Sequence, residues 1–100
     1  MTFYRHSTVH SFYGDETPVD IGPCQVRIDN GRIEVIYEGD TGGEEVYEGT
    51  EDGDGHFKLE KRNGDGKANL HQFQNGKILD GWWSEEGDEG MWRIHLSDEP

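Results

Sequence analysis

Histidine is the residue type in this 100-residue sequence best suited to metal binding or proton transfer, and five are present. None stands in an HExxH pattern or in the paired Cys/His spacing of a zinc site. His6 and His10 could share a strand face, but four residues of strand separate them by roughly 13 Å, too far for one metal ion. We interpret the five as surface or interface residues and predict no metal site: His6, His10, His56, His71 and His95.

Two Gly/Asp/Asn segments are similar to the middle of a calcium-binding EF-hand loop. They are Asp52-Gly53-Asp54-Gly55 and Asn63-Gly64-Asp65-Gly66. The twelfth loop position must carry a carboxylate, but it falls on Lys61 in the first segment and on Gln72 in the second. We therefore predict that both segments are turns between strands.

Catalytic patterns are equally sparse. The sequence has no GxSxG, no P-loop and no Cys/His pairing, and its many carboxylates carry no specific acid–base signal. Cys24 is the single cysteine, so no disulfide can form within the chain and we expect a reducing compartment. Its alternation with Val26 and Ile28 predicts that the thiol is buried. The sequence therefore predicts a protein that is not an enzyme, with no catalytic residue and no cofactor.

The elements that would position any site are strands. Residues 55–96 alternate between apolar and polar side chains in four runs separated by Gly-rich breaks, which predicts a four-stranded antiparallel meander. Its predicted inner set is Phe57, Leu59, Ala68, Leu70, Leu79, Gly81, Trp83, Trp92, Ile94 and Leu96. One all-β domain is predicted over residues 1–100, an antiparallel up-and-down meander of seven or eight short strands in a closed or nearly closed barrel.

The first half of the chain adds strands to this meander. Residues 25–37 predict a hairpin around Asn30-Gly31, the dipeptide preferred where both turn residues need positive φ. Residues 3–13 predict a strand or a cover over the sheet, residues 14–23 a loop, and residues 44–49 a short strand. The meander core then spans 24–96, and 97–100 form a polar tail.

The charge of the chain limits its partners. Nine basic and 22 acidic residues give a formal net charge of −13, which disfavours binding to nucleic acid and to anionic membranes. The N-terminal residues contain no continuous apolar stretch, so we expect neither a signal peptide nor a transmembrane segment, and a cytoplasmic protein.

The Gly-turned strands that end in Gly81-Trp82-Trp83-Ser84-Glu85 and in 90–96 (GMWRIHL) resemble the up-and-down barrels of the calycin class, which includes lipocalins, fatty-acid-binding proteins and avidins. They also resemble small uncharacterised bacterial β-meander domains. The resemblance covers residues 24–96 and concerns architecture. The lipocalin Gly-x-Trp signature belongs near the N-terminus, whereas Gly81-Trp82-Trp83 lies near the C-terminus, so no binding residue is carried over.

Two surfaces follow from the strand phases. A pocket is predicted at Tyr37, Phe57, Trp83 and Trp92, and an outer-face interface with a partner or a second copy of the chain is predicted at His71, Phe73, Ile78, Trp82, Met91, Arg93 and His95. The first function hypothesis is a non-catalytic binding module for a small apolar ligand or a protein. The alternatives are an acidic-surface regulator or inhibitor that engages a basic protein and, least favoured, a small enzyme. The ligand's identity stays open.

Overall fold

The computed structural model describes residues 2–13, 16–39 and 42–98, which form eight antiparallel strands. Within this part of the chain, no helix is long and apolar enough to cross a membrane. The strands are β1 (Thr2–Tyr13), β2 (Glu16–Asp29), β3 (Arg32–Glu38), β4 (Glu44–Glu51), β5 (His56–Lys61), β6 (Gly66–Gln72), β7 (Ile78–Glu85) and β8 (Asp88–His95).

Each strand pairs with its neighbours in sequence, and β1 also pairs with β8, so the sheet closes into a barrel. The predicted all-β, up-and-down architecture is confirmed. Beyond β8, Ser97 is fastened to β1: the Ser97 amide donates to Ser7 Oγ at 3.1 Å, and the His6 amide donates to the Ser97 carbonyl at 2.9 Å. The predicted polar tail is therefore anchored at its first residue.

The barrel has two distinct ends. At one end, called the mouth here, β1, β3, β5 and β7 finish and β2, β4, β6 and β8 begin. At the other, called the closed end, lie the connections β2–β3, β4–β5 and β6–β7, together with the start of β1 and residue 97. Because the strands are antiparallel, the position of a residue along its strand tells which end it occupies.

Alternation within the strands directs one face of each into the barrel. The apolar inner set predicted for the meander is confirmed, since Phe57, Leu59, Leu70, Leu79 and Ile94 are at most 2% exposed. The hairpin at Asn30-Gly31 is also confirmed, because their φ values are 51° and 77°. The two segments with a faint calcium-loop pattern lie at connections between strands, as predicted, and Gly66 of the second segment is the first residue of β6.

The predicted loop over 14–23 is wrong for residues 16–23, which belong to β2; residues 14 and 15 lie outside the described part of the chain. Gly22 and Pro23 suggested a break, but β1 supplies a partner strand for this stretch. Pairing between β2 and β3 begins only at Cys24. Pro23 therefore sits where β2 has a single neighbour, the situation in which a strand tolerates proline. β1 itself forms part of the barrel wall and does not cover it.

Gly81 and Gly90 face a neighbouring backbone at very short range. A Cβ built at Gly81 would lie 1.7 Å from the carbonyl oxygen of Asn69, and one at Gly90 would lie 1.7 Å from that of Phe12. Any side chain would have to displace the adjacent strand. These glycines permit the close strand approach that a small, strongly coiled barrel requires.

Candidate ligand-binding mouth

A cavity of about 610 Å³ opens at the mouth. Its walls are formed by seven of the eight strands and by the residues directly after β3 and β7. The cavity is therefore the part of the barrel interior nearest the mouth. The volume falls within the roughly 300–1,000 Å³ typical of small-molecule sites. A barrel of eight strands is also about the size that can hold one small ligand.

Aromatic rings form much of the wall. Tyr37, Trp83 and Trp92 line the cavity, and Tyr47 packs behind them. The Tyr37 and Trp92 rings meet edge to face, with centroids 5.9 Å apart, and Tyr47 meets Trp92 in the same way at 4.9 Å. Such geometry is favourable for aromatic pairs and fixes the rings against each other. One part of the cavity wall is therefore a preformed aromatic surface.

A charged cluster lies beside these rings. The Lys61 ammonium contacts Glu85 and also lies 3.2 Å from Glu45, and the Tyr47 hydroxyl donates to Glu85 at 2.7 Å. The Lys61 side chain is only 15% exposed. Gly66 leaves space for this arrangement, because a Cβ there would approach the Tyr47 hydroxyl to 2.3 Å. We call Glu45, Tyr47, Lys61 and Glu85 the charged cluster.

The contacts within the charged cluster shift the pKa values of its members. The hydrogen bond to Glu85 raises the pKa of Lys61 although partial burial opposes that shift. Burial alone would raise the pKa of Glu85, but the hydrogen bonds from Lys61 and Tyr47 outweigh it and lower that pKa. Burial and the hydrogen bond to Glu85 raise the pKa of Tyr47. At neutral pH Lys61 is thus an ammonium, Glu85 a carboxylate and Tyr47 a neutral phenol.

Four further carboxylates line the opening and are exposed: Asp20, Glu38, Glu86 and Asp88. We call these four the rim acids. Within the described residues none of them has an ion-pair partner. Two acids on the outer wall are paired, since Glu34 contacts both Arg27 and Arg62 and Glu48 contacts Arg62, whereas Glu60 on the same wall has no ion pair among the described residues. The described lining of the cavity therefore carries six carboxylates and one ammonium, a formal charge of −5.

Three of the four residues predicted for the pocket meet at this cavity: Tyr37, Trp83 and Trp92. Phe57 instead is the second residue of β5, at the closed end, where it is 2% exposed and packs in the core. The sequence interpretation missed the charged cluster, although a signal existed. The alternation that directs Phe57 and Leu59 inward also directs Lys61 inward.

The residues predicted for an interface lie on the outer wall or in a connection. Trp82 and Met91 are cross-strand partners and are 41% and 49% exposed, with Phe12 next to Met91 on β1. Ile78 pairs with His95 two rows away, and the Asp80–Arg93 ion pair occupies the row between.

Phe73 follows β6, beyond the strand, and His71 faces outward on β6. The apolar surface is therefore divided into two smaller parts, and the interface stays a prediction.

The remaining candidates for chemistry lie away from the cavity. His56 and His71 stack across strands with centroids 4.4 Å apart, and His10 and His95 approach to 5.1 Å. No group of three or more His, Cys, Asp or Glu side chains suited to a metal occurs in the described part of the chain. Cys24 is buried in the wall, and burial raises its pKa to about 12.

Neither of two comparisons with known proteins assigns this chain to a family. No protein-family model matches this chain, and no curated protein sequence matches it significantly.

Proposed function

We propose that this barrel is a non-catalytic binding module that holds a small molecule with an apolar body in its mouth. The observation that carries the proposal is the cavity of about 610 Å³ walled by Tyr37, Trp83 and Trp92. Preformed aromatic walls supply contact area without the entropic cost of ordering flexible side chains. The closed barrel is consistent with a calycin-like architecture, and kinship with that class is part of the proposal.

The chemistry of the mouth favours binding over catalysis. Lys61 is a poor base or nucleophile because its contacts with Glu85 and Glu45 hold it protonated and its pKa is raised. The thiol of Cys24 is far from the thiolate form at neutral pH, since its pKa is about 12. Among the described residues that line the cavity there is no histidine. The groups present can recognise a ligand but are poorly suited to transferring protons to it.

A plugging variant tests the proposal. Gly22 lines the cavity, and a Cβ at this position meets no atom within 4 Å, so Gly22→Leu should fill space without displacing neighbours. Gly43→Leu is the matched control, because Gly43 has equally open surroundings but lies outside the lining. Both are made in a Trp82→Phe background, so that the remaining tryptophan fluorescence comes from Trp83 and Trp92.

The neutral dye Prodan serves as a first probe, and its emission and the tryptophan quenching are followed together. We expect Prodan to bind the Trp82→Phe protein and its Gly43→Leu derivative alike, and the Gly22→Leu derivative at least about tenfold more weakly, because the plug occupies the contact surface. Equal binding to the plugged and control proteins would show that the dye sits elsewhere. That result would overturn the proposal for the mouth.

A second candidate function, an acidic regulator or inhibitor of a basic protein, is favoured by the rim acids, which have no ion-pair partner in the described part of the chain. Exposed charges of one sign steer and hold an oppositely charged surface, and salt weakens that attraction. A pull-down at low ionic strength should then recover a basic protein that is lost in high salt. Recovery of only salt-insensitive partners would contradict this second candidate.

A further inference from the structure

The cavity has aromatic rings and the charged cluster in its walls, and the rim acids around its opening. Tyr37, Trp83 and Trp92 supply apolar contact, whereas the rim acids surround the entrance with four carboxylates that no described basic residue pairs. An anionic ligand would be repelled by this field. A neutral ligand would contact only the walls. A cation would be attracted by both features.

Aromatic walls reinforce the preference for positive charge. The face of a tryptophan or tyrosine ring carries negative electrostatic potential and attracts an ammonium group, more strongly where the site is desolvated. In this barrel Trp83 and Trp92 are 6% and 4% exposed while still lining the cavity. Only a small part of each ring therefore faces the cavity, and there the surrounding protein shields the ring from bulk water, which strengthens its attraction for a cation.

The side chain of Lys61 shows that the cavity accommodates an ammonium group. Lys61 is the single basic residue in the described lining, and it is held between Glu45 and Glu85 next to the Tyr47 hydroxyl. The Lys61 ammonium neutralises one of the two formal negative charges in the charged cluster. Among the residues that the structure describes, the rim acids have no such counterion, so the charge that a ligand could neutralise lies at the entrance.

We infer that the ligand of this mouth is an organic ammonium compound, an amine or quaternary ammonium group attached to an apolar body. This inference rests on the proposed function, because it names the class of molecule that the same cavity takes. The apolar body packs against the aromatic walls, and the positive charge is attracted by the rings and the rim acids. The cavity defines the site; the acids determine only the charge of its occupant.

Three probes with one body and three charges test the inference: 3-phenylpropylamine, 3-phenylpropanol and 3-phenylpropanoate. Binding to the full chain is measured by calorimetry and tryptophan quenching at low ionic strength and in 0.5 M salt. We expect the amine to bind about tenfold more tightly than the alcohol at low salt, and the carboxylate most weakly. Salt should reduce the affinity for the amine and leave that for the alcohol nearly unchanged.

A pair of isosteric substitutions locates the effect. Glu38→Gln combined with Asp88→Asn removes two rim acids, and we expect it to reduce amine affinity at least about fivefold without changing alcohol affinity. The control combines Glu60→Gln with Asp54→Asn, which remove two exposed acids on the outer wall and at the closed end. This control has the same net charge as the rim variant and should bind the amine like the wild type.

The outcomes separate the two proposals. If amine and alcohol bind equally and Gly22→Leu weakens both, the binding module stands and the inference about charge is overturned. If Gly22→Leu weakens neither, or no probe binds, the proposed function fails. An ammonium group could also come from a lysine of a basic protein. If a lysine-rich peptide displaces the amine and binds the Gly22→Leu protein undiminished, the occupant is a protein surface and the small-molecule assignment is overturned.

Discussion

The closed end and the mouth of the barrel are built from the same strands, but the interior is packed at the closed end and open at the mouth. At the closed end, Phe57, Leu70 and Leu79 fill the interior and are at most 2% exposed. At the mouth, inward positions on β5 and β7 carry Lys61 and Glu85, and the interior remains open. Inward alternation therefore specifies which residues enter the barrel, while position along the strand decides whether they pack or remain available.

This division suggests how stability and binding are separated in a small domain. Residues at the closed end are expected to carry most of the packing energy, because their side chains have no access to solvent. Residues at the mouth carry partly solvated charges, whose net contribution to folding is smaller. Substitutions at the two ends should therefore have unequal consequences, which the following predictions measure from the largest effect to the smallest.

The largest loss of stability is expected at the closed end. Phe57→Ala removes a side chain that is 2% exposed and leaves a cavity, which should lower the free energy of unfolding by about 3–5 kcal/mol. Urea denaturation measures the loss. Ile78→Ala is the control, because Ile78 is 42% exposed on the outer wall and its truncation should cost only about 0.5 kcal/mol. Similar losses in both variants would remove the distinction between core and surface.

A smaller loss is expected in the charged cluster. Lys61→Met leaves Glu45 and Glu85 without their shared cation, and we expect the unfolding free energy to fall by about 1–3 kcal/mol. Lys58→Met is the matched control: its ion pair with Asp52 is largely exposed, so it should change stability by less than about 1 kcal/mol. Adding Glu85→Gln to Lys61→Met should recover part of the loss. No difference between the two lysine variants would mean that the cluster contributes nothing beyond a surface ion pair.

The smallest effect is expected in the pH dependence contributed by Glu85. Its pKa in the folded protein is lowered from the ordinary value of 4.5, so its stabilising contribution is complete above that value and is lost as pH falls through the folded pKa. The stability difference between wild type and Glu85→Gln should therefore be constant near neutrality and shrink below about pH 4.5. The other carboxylates are common to both proteins and cancel approximately in this difference. A difference that grows on acidification would contradict the lowered pKa.

Much of the fold followed from local patterns in the sequence. The alternation of Leu79 and Trp83 identified the inner face of β7, and Asn30-Gly31 identified a hairpin because few other dipeptides accept positive φ at both positions. These signals are local and therefore visible without knowledge of neighbouring strands. β2 was harder, because Gly22 and Pro23 are local breakers that become acceptable only when β1 lies alongside.

The candidate site was predictable in part for the same reason. Side-chain phase placed Tyr37, Trp83 and Trp92 inside, but the height of each residue in the barrel depends on which end its strand starts from. Phe57 lies near the start of β5, which begins at the closed end, whereas Trp83 lies near the end of β7, close to the mouth. The grouping of Lys61 with Glu85 depends on the register between β5, β6 and β7, which no local pattern specifies.

The seam between β1 and β8 is the strand pairing that we expect to form latest. Every other strand pairing described in the barrel joins sequence neighbours, and a hairpin can form as soon as its turn does. The seam instead joins the first strand to the last. Closing this long loop costs conformational entropy before pairs such as Thr8 with His95 can stabilise the barrel. The bond between Ser7 and Ser97 becomes possible only at that stage. We therefore expect the ring of strands at the mouth to close late in folding, and a chain caught before closure would present two unpaired strand edges to other molecules.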